Sequence, residues 1–326
     1  MNFLRTVLIQ NRAEAADRTF QQDLPVNPLS MVLVTIRGVI TAADTATPLV
    51  DLFGTIPSLA IRYRGQDIIR GSLADLAVLN AVITGKVPWG QLVQDGAAET
   101  WSLTVPICLG RVPYNPMECF PAVRRCDLVL EMTVDTVLNN ADLVTLQVET
   151  VELLDETPKQ YLKYTTGTVT FATTVAEVIR LPIGNPLLGV LLFGTTAPVA
   201  AATTATWEQL RVKVDNVESL YAQTNWDTLY GELIDRVHND ATFLMNHQHH
   251  YDGAAAAFAQ TQGQNRASAS VNLDHYAYLD FDPLKDDSYM LQTAGRADVV
   301  IQRDVGTADA ARFIPVELVS IGGAGA

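Results

Sequence analysis

Basic side chains are scarce in this chain: 22 Lys and Arg stand against 36 Asp and Glu in 326 residues, for a formal net charge of −14. That balance argues against direct, sequence-specific nucleic-acid binding, where affinity rests on clustered Lys and Arg meeting phosphates. It suits an acidic, soluble surface. Cysteine is nearly absent too. Cys108, Cys119 and Cys126 are odd in number and form no C-x-x-C pair, so neither a disulfide framework nor a zinc knuckle is indicated. Synthesis in a reducing cytoplasm is the simplest reading. No apolar run approaches the roughly 18 residues that span a bilayer as a helix, and the N-terminus lacks a signal-peptide cleavage pattern. A Gly-rich phosphate loop, a G-x-S-x-G elbow and an H-E-x-x-H helix are all missing, so no catalytic, cofactor-binding or metal-ligating residues are assigned.

What the chain does contain is a duplication. Leu24-Pro25-Val26-Asn27-Pro28-Leu29 leads into an apolar run, and so does Leu181-Pro182-Ile183-Gly184-Asn185-Pro186-Leu187. The correspondence continues in order. Ile61 to Arg64 answers Leu210 to Lys213, each alternating apolar and basic as a strand with one wet face does. A helix follows each: Ser72 with Asp75 reads as a capping box opening Leu73, Leu76, Ala77 and Leu79, and Asp227 as a cap before Leu229, Tyr230, Leu233, Ile234 and Val237. Trp101 to Val105 then matches His275 to Leu279, Arg125 to Leu130 matches Arg296 to Ile301, and Val144 to Glu149 matches Ile314 to Val319. A duplication fixes the folding unit before function is considered.

Each copy is a series of short strands punctuated by Gly, Pro, Asn and Asp, with one helix. The expected fold is therefore all-β: two tandem eight-stranded antiparallel jelly-roll sandwiches, each with a short helix. A doubly wound α/β fold needs a helix after most strands. The expected boundaries are an N-terminal arm at 1–23, jelly roll 1 at 24–154, a linker at 155–168 where Pro158 interrupts the strand pattern, jelly roll 2 at 169–321 with an insertion at about 231–272, and a flexible tail at 322–326.

Two clusters raise the question of a metal. His238, His247, His249, His250 and His275 include every histidine, yet Gly253 and Ala254 stand where a cupin-like set wants a carboxylate, and the surrounding Ala, Gln, Gly and Ser read as an exposed loop. Asp280, Asp282, Asp286 and Asp287 suggest calcium by number but not by EF-hand spacing, and Asp280-Phe281-Asp282 alternates like a strand with an acidic outer face.

The N-terminus is locally cationic. On a helical wheel Phe3, Leu4, Val7 and Leu8 span roughly 140° and Arg5 and Arg12 lie opposite. Such an arm suits a membrane surface or a partner subunit, against the plainer reading of a segment packed on its own domain.

The collinear duplication over residues 24 to 321, the Leu181-Pro182-Ile183-Gly184 entry to a buried strand, Leu210 to Asp215, and the closing pair from Arg296-Ala297-Asp298 to Val316-Glu317-Leu318 resemble the double jelly-roll major capsid proteins of tailless icosahedral viruses, the tectivirus, corticovirus and adenovirus lineage. The resemblance implies a non-enzymatic coat subunit of the virion, made in the host cytoplasm. Its partners would be two further copies in a pseudo-hexameric homotrimer, neighbouring capsomers and minor or vertex capsid proteins. An internal lipid membrane beneath the shell would meet the arm residues Phe3, Leu4, Arg5, Val7, Leu8 and Arg12. No cofactor is implied. Two alternatives stay open: a tandem jelly-roll carbohydrate-active enzyme or binding protein, and a minor or spike capsid protein.

Overall fold

The protein is described from a computed structural model covering residues 2–14, 16–40, 49–93, 99–136, 141–172, 176–196, 204–237, 273 and 275–322. It divides into two compact units, one built on Met1–Tyr161 and the other on Leu162–Arg236 with Leu273–Ala326.

The first unit contains β1 (Asn2–Ala13), β2 (Arg18–Asp23), β3 (Leu29–Ile40), β4 (Ser58–Tyr63), β5 (Gln66–Gly71), α1 (Leu73–Thr84), β6 (Trp89–Val93), β7 (Glu99–Cys108), β8 (Leu128–Val134) and β9 (Ala141–Leu154). One antiparallel sheet runs β1-β9-β3-β7-β6, and in the other β2, β8, β4 and β5 are neighbours in that order. Strand β3 is almost entirely apolar because it is central, flanked by β9 and β7 and buried along most of its length. Gly38 on β3 faces Trp101 on β7, and a Cβ there would come within 2.7 Å of the indole.

Helix α1 starts where the sequence places it. The Ser72 hydroxyl accepts from the Asp75 amide at 3.1 Å, and Gly85 ends the helix in a left-handed conformation (φ 69°) with its amide on Ala81 O. Nearly every side chain between the caps is buried, polar Asn80 included. Its amide nitrogen donates to Leu76 O and its oxygen accepts from Cys108 N, so the helix is tied to the end of β7.

Strand β10 (Gln160–Thr165) carries the chain into the second unit. There follow β11 (Gly167–Thr170), β12 (Glu177–Arg180), β13 (Leu187–Gly194), β14 (Gln209–Val214), β15 (Val217–Glu218), β16 (Thr224–Asn225), α2 (Trp226–Arg236), β17 (Tyr276–Asp280), β18 (Val299–Val305) and β19 (Ala310–Ser320). The sheets run β11-β19-β13-β17 and β12-β18-β14-β15, with β16 also on β14. The core joins Phe171, Trp207, Leu210, Trp226, Ile301 and their neighbours. Buried Arg303 lies 3.7 Å over the Phe171 ring and donates to Thr206 O, Thr307 O and Glu177.

Set side by side, the two units have one strand order. Leaving out β6, β10 and β16, one sheet of each reads first-eighth-third-sixth and the other second-seventh-fourth-fifth, with the helix between the fifth and sixth strands. This is the jelly-roll arrangement. Every pair of segments matched in the sequence falls on equivalent elements.

Several boundaries differ from expectation. The first jelly roll begins at Asn2, not residue 24: β1 and β2 are its first two strands and there is no separate arm. The connection is shorter than 155–168, since β10 and β11 occupy most of it. Asp227 lies inside the first turn of α2, which starts at Trp226. Of the insertion expected at about 231–272, Gly231 to Arg236 instead complete α2, while residues 238–272, with His238, His247, His249 and His250, and residues 323–326 lie outside the described residues.

Candidate assembly surfaces

The N-terminal residues form a strand rather than a helix. Asn2 to Val7 pair continuously with Leu154 to Glu149, and register shifts follow at Val7/Ile9 and Ile9/Arg12, where Asn11 takes a positive φ of 43°. Alternation therefore splits the expected apolar set, placing Phe3, Arg5 and Val7 on one face of the regular stretch and Leu4 and Thr6 on the other. Phe3, Leu4 and Val7 are each 44–60% exposed, whereas Leu8 is half-buried and Ile9 buried. The arginines are engaged. Arg5 is ion-paired with Glu149, and Arg12 with Glu14 at 2.7 Å while stacked 3.8 Å over Phe20. Buried Glu14 also takes Arg18 at 2.7 Å.

Next to Phe3 is the loop from Leu109 to Asp127, whose Tyr114 ring meets Phe3 edge-on at 5.4 Å. The loop is held from within. Glu118, buried, accepts from the Arg111 amide and guanidinium and from Gln160 at 3.0 Å. Burial pushes the Glu118 carboxyl up, but the hydrogen bonds and charge of Arg111, with Gln160, outweigh it and hold the group below its ordinary value. Gly110 must be glycine for lack of room, because a Cβ would lie 2.0 Å from Glu118 O. On this fixed frame Val112, Tyr114 and Met117 are exposed.

The second unit carries an open groove of about 460 Å³ beside the β14–β15 hairpin. Asp215 and Asn216, both at positive φ, make its two-residue turn. Val217, Leu220 and Tyr289 are exposed along the groove, above buried Val214 and Leu291. A second pocket, about 330 Å³, is lined by Tyr221, Tyr278, Glu232 and Asp235 and by the Arg236–Asp280 ion pair.

Among the described residues no group of three or more His, Cys, Asp or Glu is placed to hold a metal ion, and His238, His247, His249 and His250 lie outside those residues. His275 meets Gly194 O through Nδ1 at 3.0 Å. Asp282 is buried, not on an outer acidic face, and with Asp286 it accepts from the amides of Asp287 and Ser288 in the turn after β17.

No protein-family model and no curated protein sequence matches the chain. Solved structures do. The major capsid protein of Sulfolobus turreted icosahedral virus superposes with a TM-score of 0.64 at 14% identity, over 98% of this chain and 97% of that one. The major capsid protein P2 of bacteriophage PM2 gives 0.60 at 12%, over 99% and 100%. The chain has the double jelly-roll fold of these capsid proteins. The PBCV-1 capsid protein is similar as well, with a TM-score of 0.58 at 10% identity over 100% and 96%. Within this double jelly roll, sequence reasoning missed the loop at Val112 to Met117 and the groove at Val217 to Tyr289. The first is an irregular loop without periodicity, and the second joins the β14–β15 hairpin to Tyr289 to Gln292, which are far apart in the sequence.

Proposed function

We propose that the protein is the major coat subunit of a tailless icosahedral virus, built as a homotrimer whose six sandwiches form one pseudo-hexagonal tile. The observation that carries this reading is the repeat of one strand order in two tandem jelly rolls, in a chain matched from end to end by capsid proteins. Two like domains repeated by threefold symmetry give six similar lobes, and such blocks tile a closed shell. The work is shape and contact, not catalysis, and its place is the virion.

Neighbouring capsomers and vertex proteins then meet the tile's outer flanks. Phe3, Leu4 and Val7 are offered to a protein neighbour. Arg5 and Arg12 are already paired with Glu149 and Glu14, which removes the argument for anionic lipid. A membrane beneath the shell is implied by the resemblance and would have to use other residues.

Light scattering on the purified protein tests the reading. A mass about three times 35.5 kDa is expected, with larger particles as concentration rises. A monodisperse monomer at micromolar concentration under every salt condition would sink it.

A further inference from the structure

The two jelly rolls repeat a buried carboxylate as well as a strand order. Asn27 and Asn185 hold the same place in the duplicated entry segments, each two residues before the leucine that opens an inner strand. Leu29 pairs with Glu152 on β9, and Leu187 pairs with Glu317 on β19. Both glutamates are buried, and each takes the amide of its asparagine: Asn27 Nδ2 donates to Glu152 Oε2 at 2.7 Å, and Asn185 Nδ2 to Glu317 Oε2 at 2.8 Å. In both units this pair ties the entry segment to the strand beside it.

The units differ at the other carboxylate oxygen. In the first, the Thr6 hydroxyl lies 2.9 Å from Glu152 Oε1; in the second, the Lys163 amine lies 2.9 Å from Glu317 Oε1. An amine, a base and a carboxamide therefore meet on one buried carboxylate in the second unit, each within hydrogen-bond reach. Lys163 is on β10, which neighbours β19 as β13 does on its other side. Asn185 is held from behind. The Thr293 hydroxyl, buried, donates to the Asn185 carbonyl at 2.6 Å and accepts from the Gly184 amide at 2.9 Å. Pro186 follows, and a residue without a backbone N–H cannot attack the Asn185 side chain to form a succinimide, so that route to losing the carboxamide is closed.

We infer that Lys163 and Asn185 join in an intramolecular isopeptide bond, with Glu317 as the catalytic base. Glu317 takes a proton from the Lys163 ammonium through Oε1, and the freed amine attacks Asn185 Cγ. Attack needs the two atoms within roughly 3–3.5 Å, and the flexible four-carbon stem of lysine supplies the reach. As the new N–C bond forms, the protonated Glu317 passes its proton to the carboxamide nitrogen, whose own bond to Cγ breaks. Of the three ammonium protons one stays in the new amide and two leave on the departing nitrogen. An ammonium ion is released, Glu317 ends ionised as it began, and nothing is oxidised or reduced. The bond would cross β19 and clasp β10 to the entrance of β13. In the first unit Asn27 and Glu152 meet no amine, and no such bond is expected there.

Mass spectrometry of the full folded chain tests this. The expected intact mass is one ammonia below that of the sequence, and trypsin should release residues 160–180, uncut at Lys163, joined to residues 181–211. K163R keeps a cation beside Glu317 but cannot form the bond, N185A removes the carboxamide, and E317Q removes the base. Each, once shown by circular dichroism to be folded, should have its full mass and give separate peptides. K163R carries the comparison if either of the others fails to fold. Folded native protein that keeps its full mass after days, or that loses ammonia from any other residue, would overturn the inference, as would a link that persists in E317Q.

Discussion

Replacing Glu118 by Gln is the most informative single change in the first jelly roll. The carboxylate is buried against Arg111, receives its amide and guanidinium, and takes a further bond from Gln160. An amide of the same shape keeps some of those bonds but takes away the negative charge that Glu118 sets against the buried Arg111 cation. Breaking one side of such a pair costs about 3–5 kcal/mol, whereas replacing both partners with apolar groups is often close to neutral. At 2–4 °C per kcal/mol for a unit of this size, the transition containing residues 1–161 should fall by roughly 6–20 °C. Calorimetry measures it directly, and R111M/E118M should recover most of the loss. The pH dependence has a fixed sign. Glu118 titrates below its ordinary 4.5, so its contribution is present above that value and is lost as pH falls through the lowered one. The gap between the native protein and E118Q should therefore narrow in acid. A loss under about 1 kcal/mol, or a gap that widens below pH 4.5, would refute the view that this pair holds the loop.

Removing residues 1–13 should lower the stability of the isolated subunit sharply in thermal melts, because it strips β1 from β9 and uncovers a central-strand edge; an unchanged midpoint would mean that β1 is an appendage. Gly38→Ala should cost about 1–3 kcal/mol by denaturant unfolding, since its Cβ meets the Trp101 indole. Thiol labelling of the native protein should modify Cys126 quickly and the other two only on unfolding, because burial pushes the thiols of Cys108 and Cys119 up to about 12. Assembly followed by light scattering should strengthen from 0.1 to 1 M salt, as screening relieves repulsion between copies of charge −14; weakening would show that the contacts are mainly ionic.

The inner strands and both helices were legible because the duplication shows them twice with the same period. Met31 to Val34 on β3 and Val190 to Leu192 on β13 are apolar for one reason, burial in the middle of a sheet. Edge strands leave a weaker trace. On β1 both faces meet solvent and two register shifts break the alternation, so Phe3, Leu4, Val7 and Leu8 mimic a helical stripe. The paired state of Arg5 was equally hidden, since Glu149 lies far along the chain and only strand pairing brings it close. Tyr114 and Leu220 left no periodic signal, because what marks them is an uncovered side chain in a loop. Asp282 was misread for a related reason: β17 ends at Asp280, and the chain turns the next carboxylate inward to cap the turn.

The central claim concerns a shell, and a three-dimensional electron microscopy reconstruction of particles containing this chain tests it most directly. The account predicts six-lobed tiles of three copies each, with both jelly rolls of every copy standing in equivalent positions around the tile. Particles in which the chain occurs only at vertices, or as single copies unrelated by threefold symmetry, would contradict it.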